Sequence, residues 1–222
     1  MKNLILMYKK FFADKSALRL AFFALLMLSL SLIINFYAGN YASIRQSNYV
    51  TDIILSNTRA FDVDVLFIYS TMLLLFGVLI YCLKNPFQMP YIVKSIALFV
   101  IIRCMFIVLT HIWPYPIVAP VDTTVIFFSI FSHFSFTGDL FFSGHTGLPF
   151  LMALIFWKNR YLRYLTLAVT LFFATIVLLG HLHYSIDVLS AFFISYGIYN
   201  MSITFFSKDK KHFDASFGDV SI

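Results

Sequence analysis

Six apolar stretches, each near the length needed to cross a bilayer, constrain the fold of this chain more than any other feature. A membrane-spanning helix needs about 20 predominantly apolar residues. The stretches are Leu20–Ala38, Val65–Leu83, Tyr91–Ile112, Leu140–Trp157, Leu162–His181 and Ser185–Phe206. The first is longer than the apolar part of a signal peptide, so we interpret it as a retained span. The sequence therefore predicts an all-α, polytopic membrane protein with six transmembrane helices.

The composition favours the same fold class. Hydrophobic residues make up 61% of the 222 residues, charged residues make up 12%, and the mean hydropathy is +0.88. Soluble domains carry about 45–50% apolar and about 25% charged residues, so this chain has more apolar surface than a core of its own could hide. A soluble enzyme, a nucleic-acid-binding protein and a disordered regulator are all disfavoured. Cys82 and Cys104 lie inside apolar stretches, and we interpret them as small core residues.

The positive charges predict the topology. Thirteen of the sixteen Lys and Arg residues fall in segments that six spans would place on one side of the membrane. They are Lys2, Lys9, Lys10, Lys15, Arg19, Lys84, Lys94, Lys158, Arg160, Arg163, Lys208, Lys210 and Lys211. Because cytoplasmic segments carry an excess of Lys and Arg, both termini are predicted to be cytoplasmic. The expected organisation is a basic N-terminal segment 1–19, a six-span domain 20–206 and a mobile polar tail 207–222.

Two polar motifs fall on the predicted outer side. They are GDLFFSGHT at residues 138–146 and GHLHYSIDV at residues 180–188. Arg103 lies in the outward half of the third span. The apolar segment Thr123–Phe136 is predicted to lie along the interface or to form a short re-entrant piece over the same region. Ionisable groups at membrane depth are costly and usually functional. Their convergence on one membrane face predicts a site there.

His183 and Asp187 are separated by four residues, which would place both side chains on one face of a helix. A carboxylate that accepts a hydrogen bond from one imidazole nitrogen directs the other nitrogen outward and stabilises the ring as it gains charge. This pair could serve as a nucleophile with its orienting acid, or as a purely structural pair between helices. The spacing alone leaves both interpretations open.

The SGHT segment is compatible with an anion site. Gly144 permits close approach of a ligand to the backbone. Ser143, Thr146 and the N–H groups at a helix start can bind a phosphate, and His145 would be placed to donate a proton to an oxygen. The alternative is an ordinary helix cap in which Ser143 or Thr146 caps and His145 is incidental.

Arg103 supplies a planar donor fork that matches phosphate. It could instead form a salt bridge with Asp139 or Asp187, and the two roles are compatible. A cation, a histidine paired with a carboxylate and a second histidine are together sufficient for phosphoryl transfer, which depends mainly on positioning and charge stabilisation. No metal and no other cofactor is required by this set.

These motifs resemble those of the sphingomyelin synthases, a branch of the lipid phosphate phosphatase (PAP2) superfamily. GDLFFSGHT is similar to their third signature block, HYSIDV at residues 183–188 to their fourth, and the segment RCMFIVLTHIWPYP that begins at Arg103 to the block before the middle outer loop. The resemblance covers residues 103–188 by motif and the whole chain by topology. It implies a PAP2-like helical bundle.

The resemblance also implies a role for each site residue. His183 is expected to form a phosphohistidine, Asp187 to orient it, and His145 to protonate the leaving group and then deprotonate the acceptor. The expected phosphate-binding residues are Arg103, Ser143, Gly144, Thr146 and His181, and the expected orienting residues are Asp139 and Tyr184.

The departures of this sequence from the superfamily pattern favour the sphingomyelin-synthase-like branch over the phosphatase-type members. Phosphatase-type members carry a second basic residue where this chain has Thr110, and a Ser-Arg pair where it has Ile176 and Val177. The sphingomyelin-synthase-like branch also lacks that pair, although Thr137 replaces a cysteine that is frequent there.

The predicted function is a metal-independent transfer of a phosphoryl headgroup from a membrane phospholipid to a lipid alcohol, ceramide or diacylglycerol. Water as the acceptor would make the protein a lipid phosphatase or a phospholipase-C-like hydrolase. Two other classes remain open. A metal-binding or transport protein would use His145, His181, His183 and Asp187 as ligands, and a catalytically silent lipid-binding protein would show no turnover.

Overall fold

The computed structural model describes residues 2–116 and 140–218, and within these ranges the regular structure is helical. The α-helices are α1 (Lys2–Ala13), α2 (Lys15–Ile44), α3 (Asp64–Lys84), α4 (Met89–Leu109), α5 (Gly144–Ile155), α6 (Arg160–Leu179), α7 (Ser185–Phe205) and α8 (Ser207–Gly218). A short 3₁₀ helix, Leu55–Asn57, lies between α2 and α3. The predicted segment Thr123–Phe136 lies outside the described residues.

Five of these helices, α2, α3, α4, α6 and α7, are long and apolar enough to cross a membrane. This confirms an all-helical, multi-pass membrane protein. The predicted fourth span is shorter than expected, because α5 has only 12 residues. It begins late since Ser143 has an extended backbone and caps the helix, and it ends at Ile155, before a turn that leads into α6. Twelve residues extend about 18 Å, well short of a bilayer core of about 30 Å.

α2 packs along α4 through a face of small residues. This face consists of Ala17, Ala21, Ala24, Ser31, Ala38 and Ala42, all buried. Within a membrane, helix association depends on close packing rather than on the hydrophobic effect, and small residues allow two backbones to approach. The large side chains of α2, such as Phe22, Phe23 and Tyr37, are exposed on its other faces, where lipid would cover them.

The core of the bundle lies between α4, α5 and α7. A Cβ at Gly147 would lie 2.8 Å from Ser195 Oγ and 2.9 Å from Phe99 Cε2, so only glycine permits this approach. Ser195 Oγ donates a hydrogen bond to the carbonyl oxygen of Gly147 at 3.1 Å. These contacts hold the first turns of α5 against the arginine-bearing helix α4 and the helix α7 that follows His183.

The C-terminal segment is a docked helix, so the prediction of a mobile tail was wrong. Asp209 of α8 accepts a hydrogen bond from Lys94 Nζ of α4 at 2.7 Å, and both side chains are buried. Phe213 is buried against Tyr91 and Phe156. Hydropathy averaged over α8 conceals this, because Asp209 and Phe213 supply buried contacts in a helix that is polar on average.

Asp209→Asn should lower the stability of the folded protein, because it leaves the Lys94 ammonium buried without its carboxylate. Breaking a buried ion pair costs about 3–5 kcal/mol. Asp214→Asn is the matched control in the same helix, since Asp214 is half-exposed and pairs with Lys158 and Lys210 at 3.2 and 2.8 Å. Such a pair contributes about 1 kcal/mol or less. Thermal unfolding in detergent measures both, and equal shifts in Tm would contradict the prediction.

Candidate active site

The two polar motifs meet at the starts of α5 and α7. The backbone N–H of Ser143 donates to the carbonyl oxygen of Asp187 at 3.1 Å. This bond joins residues 44 positions apart in the sequence, and it sets the beginning of one helix directly against the beginning of the other. Both Ser143 and Asp187 are fully buried. The predicted convergence of the motifs is therefore present in the structure.

His183 and Asp187 are close, but not for the reason that their spacing indicated. His183 lies before α7, which begins at Ser185, so the two residues do not share a helical face. The turn at Tyr184 nevertheless brings His183 Nδ1 to 3.4 Å from Asp187 Oδ2. The same oxygen accepts a hydrogen bond from the backbone N–H of Tyr184 at 2.9 Å. Asp187 thus holds the residue next to His183 while its carboxylate faces the His183 ring.

His145 lies in the first turn of α5 and faces His183, with 6.5 Å between the ring centroids. Phe67 of α3 packs on the His145 ring at 4.3 Å, and Phe173 of α6 lies at 5.8 Å. Three helices therefore determine where this imidazole lies. The two histidines are near enough to contact one phosphoryl group, in surroundings that are largely apolar.

Three buried polar atoms of this cluster have no hydrogen-bond partner among the described residues. They are His145 Nδ1, His183 Nδ1 and Asp187 Oδ1. Buried polar atoms are nearly always hydrogen-bonded, and exceptions occur where a group has a catalytic or ligand-binding role. The clustering of three such atoms is therefore typical of a catalytic or ligand-binding site.

Arg103 reaches the same place from α4. Its side chain is 8% exposed, and Nε donates a hydrogen bond to the carbonyl oxygen of Phe142 at 3.0 Å. A Cβ at Gly144 would lie 2.9 Å from Arg103 Nε and 3.2 Å from Cζ. The guanidinium therefore packs directly on the glycine at the start of α5, a position that only a residue without a side chain allows.

Ser143 caps α5 through the Thr146 N–H, so the alternative interpretation of SGHT was right that the segment forms a helix cap. Ser143 Oγ accepts from the Thr146 N–H at 3.4 Å and donates to Thr146 Oγ1 at 3.2 Å. The first N–H groups of a helix have no acceptor within it, and those of Gly144 and His145 lie at the helix start on which Arg103 packs. The cap and the predicted anion site are compatible, since the cap bond is made to the Thr146 N–H.

His181, a predicted phosphate-binding residue, is buried two residues before His183. It has a left-handed backbone, with φ of 53°, at the turn between α6 and α7. Its Nε2 lies 3.3 Å from Thr58 Oγ1, and the Tyr115 ring packs edge-on against it at 5.4 Å. These contacts connect His181 to the segments before α3 and after α4. Its phosphate-binding role stays a prediction.

Tyr184 connects the motif to the two outer segments. Its hydroxyl donates to the carbonyl oxygen of Trp113 at 2.8 Å and accepts from the Val50 N–H at 3.4 Å. The residue is fully buried. Its two hydrogen bonds therefore hold the turn that carries His183 against the segments on the predicted outer side. Asp139, the other predicted orienting residue, lies outside the described residues.

One site-related residue, Asp52, was missed by the sequence analysis. Its Oδ2 accepts hydrogen bonds from both the N–H and the Oγ of Ser185, each at 2.7 Å. Burial acts to raise the pKa of Asp52, but hydrogen bonds from Leu55, Ser185 and Ile54 outweigh it, so the pKa lies below its ordinary value. The stability from these bonds is complete above the ordinary carboxyl pKa and is lost as the pH falls through the lowered one. An isolated aspartate in a loop gives no sequence signal of such a contact.

Among residues 2–116 and 140–218, no group of three or more His, Cys, Asp or Glu side chains is arranged to hold a metal ion. Of the ligand set considered for a metal-binding protein, His183 and Asp187 face each other with the His145 ring opposite, and His181 contacts Thr58 and Tyr115.

Comparison with known proteins identifies the region that holds both motifs. No curated protein and no solved structure matches the chain. Residues 136–204 match the family model described as PAP2 superfamily C-terminal. That segment contains His145, His183 and Asp187, while Arg103 precedes it. The match supports an enzyme of the lipid phosphatase or phosphotransferase type, and it shows that the region holding both motifs is similar to the C-terminal part of the PAP2 superfamily.

Proposed function

We propose that this protein is a membrane lipid phosphotransferase of the sphingomyelin-synthase-like kind, which moves a phospholipid headgroup through a phosphohistidine to a lipid alcohol. The observation that carries the proposal is the facing pair of His145 and His183, with Asp187 behind one imidazole and the Arg103 guanidinium against the start of α5. Each group that phosphoryl transfer needs comes from a different element, and all converge on one small region.

In the first half-reaction, His183 Nε2 attacks the phosphorus of the phospholipid. The N–P bond forms as the P–O bond to the diacylglycerol oxygen breaks, and a proton from His145 goes to that oxygen. Asp187 faces Nδ1 of His183 and stabilises the positive charge that the ring acquires. The negative charge of the bound phosphate favours the protonated form of His145.

In the second half-reaction, neutral His145 takes the proton of the acceptor hydroxyl. The acceptor oxygen attacks phosphorus, the N–P bond breaks, and the electron pair returns to His183. The headgroup phosphate thereby becomes an ester of the acceptor, and the enzyme is restored. No oxidant, reductant or cofactor is consumed in either half.

Charge on the transferring group is stabilised by preorganised donors. The Arg103 guanidinium packs on Gly144 at the start of α5, and a helix start is favourable for an anion. Such donors contribute most when their positions are set before the reaction. The close packing of Arg103 on Gly144 is a means of setting them.

A lipid alcohol is favoured over water as the acceptor. Phe67 and Phe173 pack on the His145 ring, so the proton-transferring group lies in an apolar wall. An acceptor such as ceramide or diacylglycerol can enter such a site from the bilayer, whereas water is disfavoured. Hydrolysis by the same covalent intermediate, with water in the second half-reaction, is the alternative.

The proposed location is a bacterial cytoplasmic membrane, with both termini cytoplasmic and the site on the outer face. The distribution of Lys and Arg supports this orientation. His145, His183 and Arg103 lie at the end of the bundle away from the Lys94–Asp209 pair and the basic terminal segments.

The test is a transfer assay in proteoliposomes with a headgroup-labelled phospholipid, fluorescent ceramide and fluorescent diacylglycerol. We expect label on one of the fluorescent lipids, with undiminished activity in EDTA. Water-soluble phosphorylated headgroup or free phosphate alone would establish the hydrolase instead. Loss of activity in EDTA that zinc restores would overturn the metal-independent mechanism, and absence of any lipid turnover would favour a lipid-binding protein.

A further inference from the structure

Asp52 connects the segment between α2 and α3 to the start of the helix that follows His183. Its carboxylate oxygen Oδ2 accepts two hydrogen bonds at 2.7 Å, one from the Ser185 N–H and one from the Ser185 hydroxyl. Ser185 lies two residues after His183 and two residues before Asp187. The bonds therefore act at the centre of the five-residue segment that carries both groups.

The first turn of α7 needs an acceptor from elsewhere. A helix start is usually capped by a Ser, Thr, Asp or Asn side chain at the N-cap position. The N-cap residue here is Tyr184, whose hydroxyl is bonded to Trp113 instead. Asp52 takes the place of the missing cap from a distant part of the chain, and its negative charge is favourable at the positive end of the helix dipole.

Asp52 is itself held firmly. Its other oxygen, Oδ1, accepts from the Ile54 N–H at 2.9 Å and from the Leu55 N–H at 3.1 Å. Leu55 is 1% exposed and packs in one cluster with Tyr115, Leu140 and Tyr184. The carboxylate thus joins two packed segments through four charge-assisted hydrogen bonds, which are stronger than neutral ones.

We propose that Asp52 is a positioning residue for the reaction, which sets the orientation of His183 towards phosphorus through Ser185. The expected effect of Asp52 on the reaction rate rests on the proposed phosphohistidine chemistry. Its expected effect on the order of the His183–Asp187 segment does not depend on that chemistry. Asp52 does not touch the reacting atoms. Without it, the start of α7 frays, and the His183–Asp187 pair loses the geometry that in-line attack requires.

The experiment compares Asp52→Asn, Asp52→Glu and Ser185→Ala with the matched control Asp62→Asn. Asp62 is an exposed aspartate in the same segment that bonds the Asp64 N–H at 3.1 Å, at the start of α3 rather than α7. Asparagine keeps the size of Asp52 but lacks its charge and one of its two acceptor oxygens. Its amide NH₂ group must therefore face N–H or O–H donors that the Asp52 carboxylate accepted from. Each variant is assayed for kcat and KM in the transfer assay, and for hydrogen exchange of residues 181–190 by mass spectrometry.

We expect Asp52→Asn to lower kcat by about 10–100-fold with KM changed by about twofold or less, because small misplacement of a reacting group has effects of this size. Hydrogen exchange should increase in residues 183–188. Ser185→Ala removes one of the two bonds and should have a smaller effect. Asp52→Glu, which keeps the charge, should restore part of the lost kcat, and Asp62→Asn should match the native protein.

Two results would overturn the proposal. One is unchanged exchange at residues 183–188 in Asp52→Asn. The other is a purely structural effect, in which Tm falls but kcat per folded molecule stays native. If the native protein turns over no lipid, the proposed function fails. The exchange data then still decide whether Asp52 orders the His183–Asp187 segment.

Discussion

His183→Ala is expected to abolish lipid turnover, with kcat reduced by at least about 10⁴-fold. Removing a covalent nucleophile eliminates the reaction path rather than weakening one contact, and losses of this size are typical. His212→Ala is the matched control, because His212 is an exposed histidine of α8 whose ring nitrogen bonds the Lys208 carbonyl oxygen of its own helix. The measurement is headgroup transfer in proteoliposomes containing equal amounts of folded protein.

The covalent intermediate gives a second, independent readout. The native protein incubated with labelled phospholipid and no acceptor should carry an acid-labile, alkali-stable phosphoryl group on the peptide that contains His183. His183→Ala should carry none. A labelled native peptide elsewhere in the chain, or native-like turnover by His183→Ala, would disprove the assigned nucleophile.

His145→Ala should differ from His183→Ala in its dependence on the leaving group. General acid catalysis contributes about 10²–10⁴-fold, and a substrate with a nitrophenol leaving group needs no proton. We therefore expect the first half-reaction of His145→Ala to recover on such a substrate, while that of His183→Ala does not. Equal loss on both substrates would assign His145 a role other than proton donation.

Gly144→Ala is expected to lower kcat by about 100-fold or more while the fold is retained. The added methyl group would lie 2.9 Å from Arg103 Nε, so the guanidinium must move away from the start of α5. Electrostatic stabilisation depends on donors that are already in place, and displacement by about 1 Å has effects of this magnitude. Transfer kinetics and Tm measured on the same preparation test this expectation.

Two other glycines separate this effect from helix packing. A Cβ at Gly77 would meet nothing within 4 Å, so Gly77→Ala should leave the kinetics native and raise stability by about 0.5–1 kcal/mol at most, through its higher helix propensity. A Cβ at Gly147 would press on Ser195 and Phe99 in the core, so Gly147→Ala should lower stability by about 1–3 kcal/mol through overpacking. Native kinetics in Gly144→Ala would show that the position of Arg103 does not limit the reaction.

Local patterns predicted the helices well, because each depends on a contiguous stretch of sequence. The long apolar stretches correspond to α2, α3, α4, α6 and α7, with ends displaced by a few residues at most places. The largest differences are α2, which continues to Ile44, and α5, which is confined to Gly144–Ile155. In both cases the helix end depends on capping and on neighbouring helices, to which hydropathy is insensitive.

The His183–Asp187 pair shows how a correct pairing can follow from an incorrect geometry. Spacing of four predicted a shared helical face, yet His183 precedes the helix and Asp187 closes its first turn. The Asp187 carboxylate lies where it does because it also accepts the Tyr184 N–H. Asp209 is the reverse case, since nothing in a polar tail predicted that one of its carboxylates would neutralise Lys94.

By itself, the sequence determined that this chain is an all-helical membrane protein and predicted that two short polar motifs carry its chemistry, because apolar length and residue type are local properties. Only the tertiary structure decided that the Ser143 N–H meets the Asp187 carbonyl, that Arg103 packs on Gly144, and that Asp52 holds Ser185. Each of these contacts joins residues tens of positions apart. Their formation depends on how closely small residues allow the helices to pack, which no single segment of the sequence specifies.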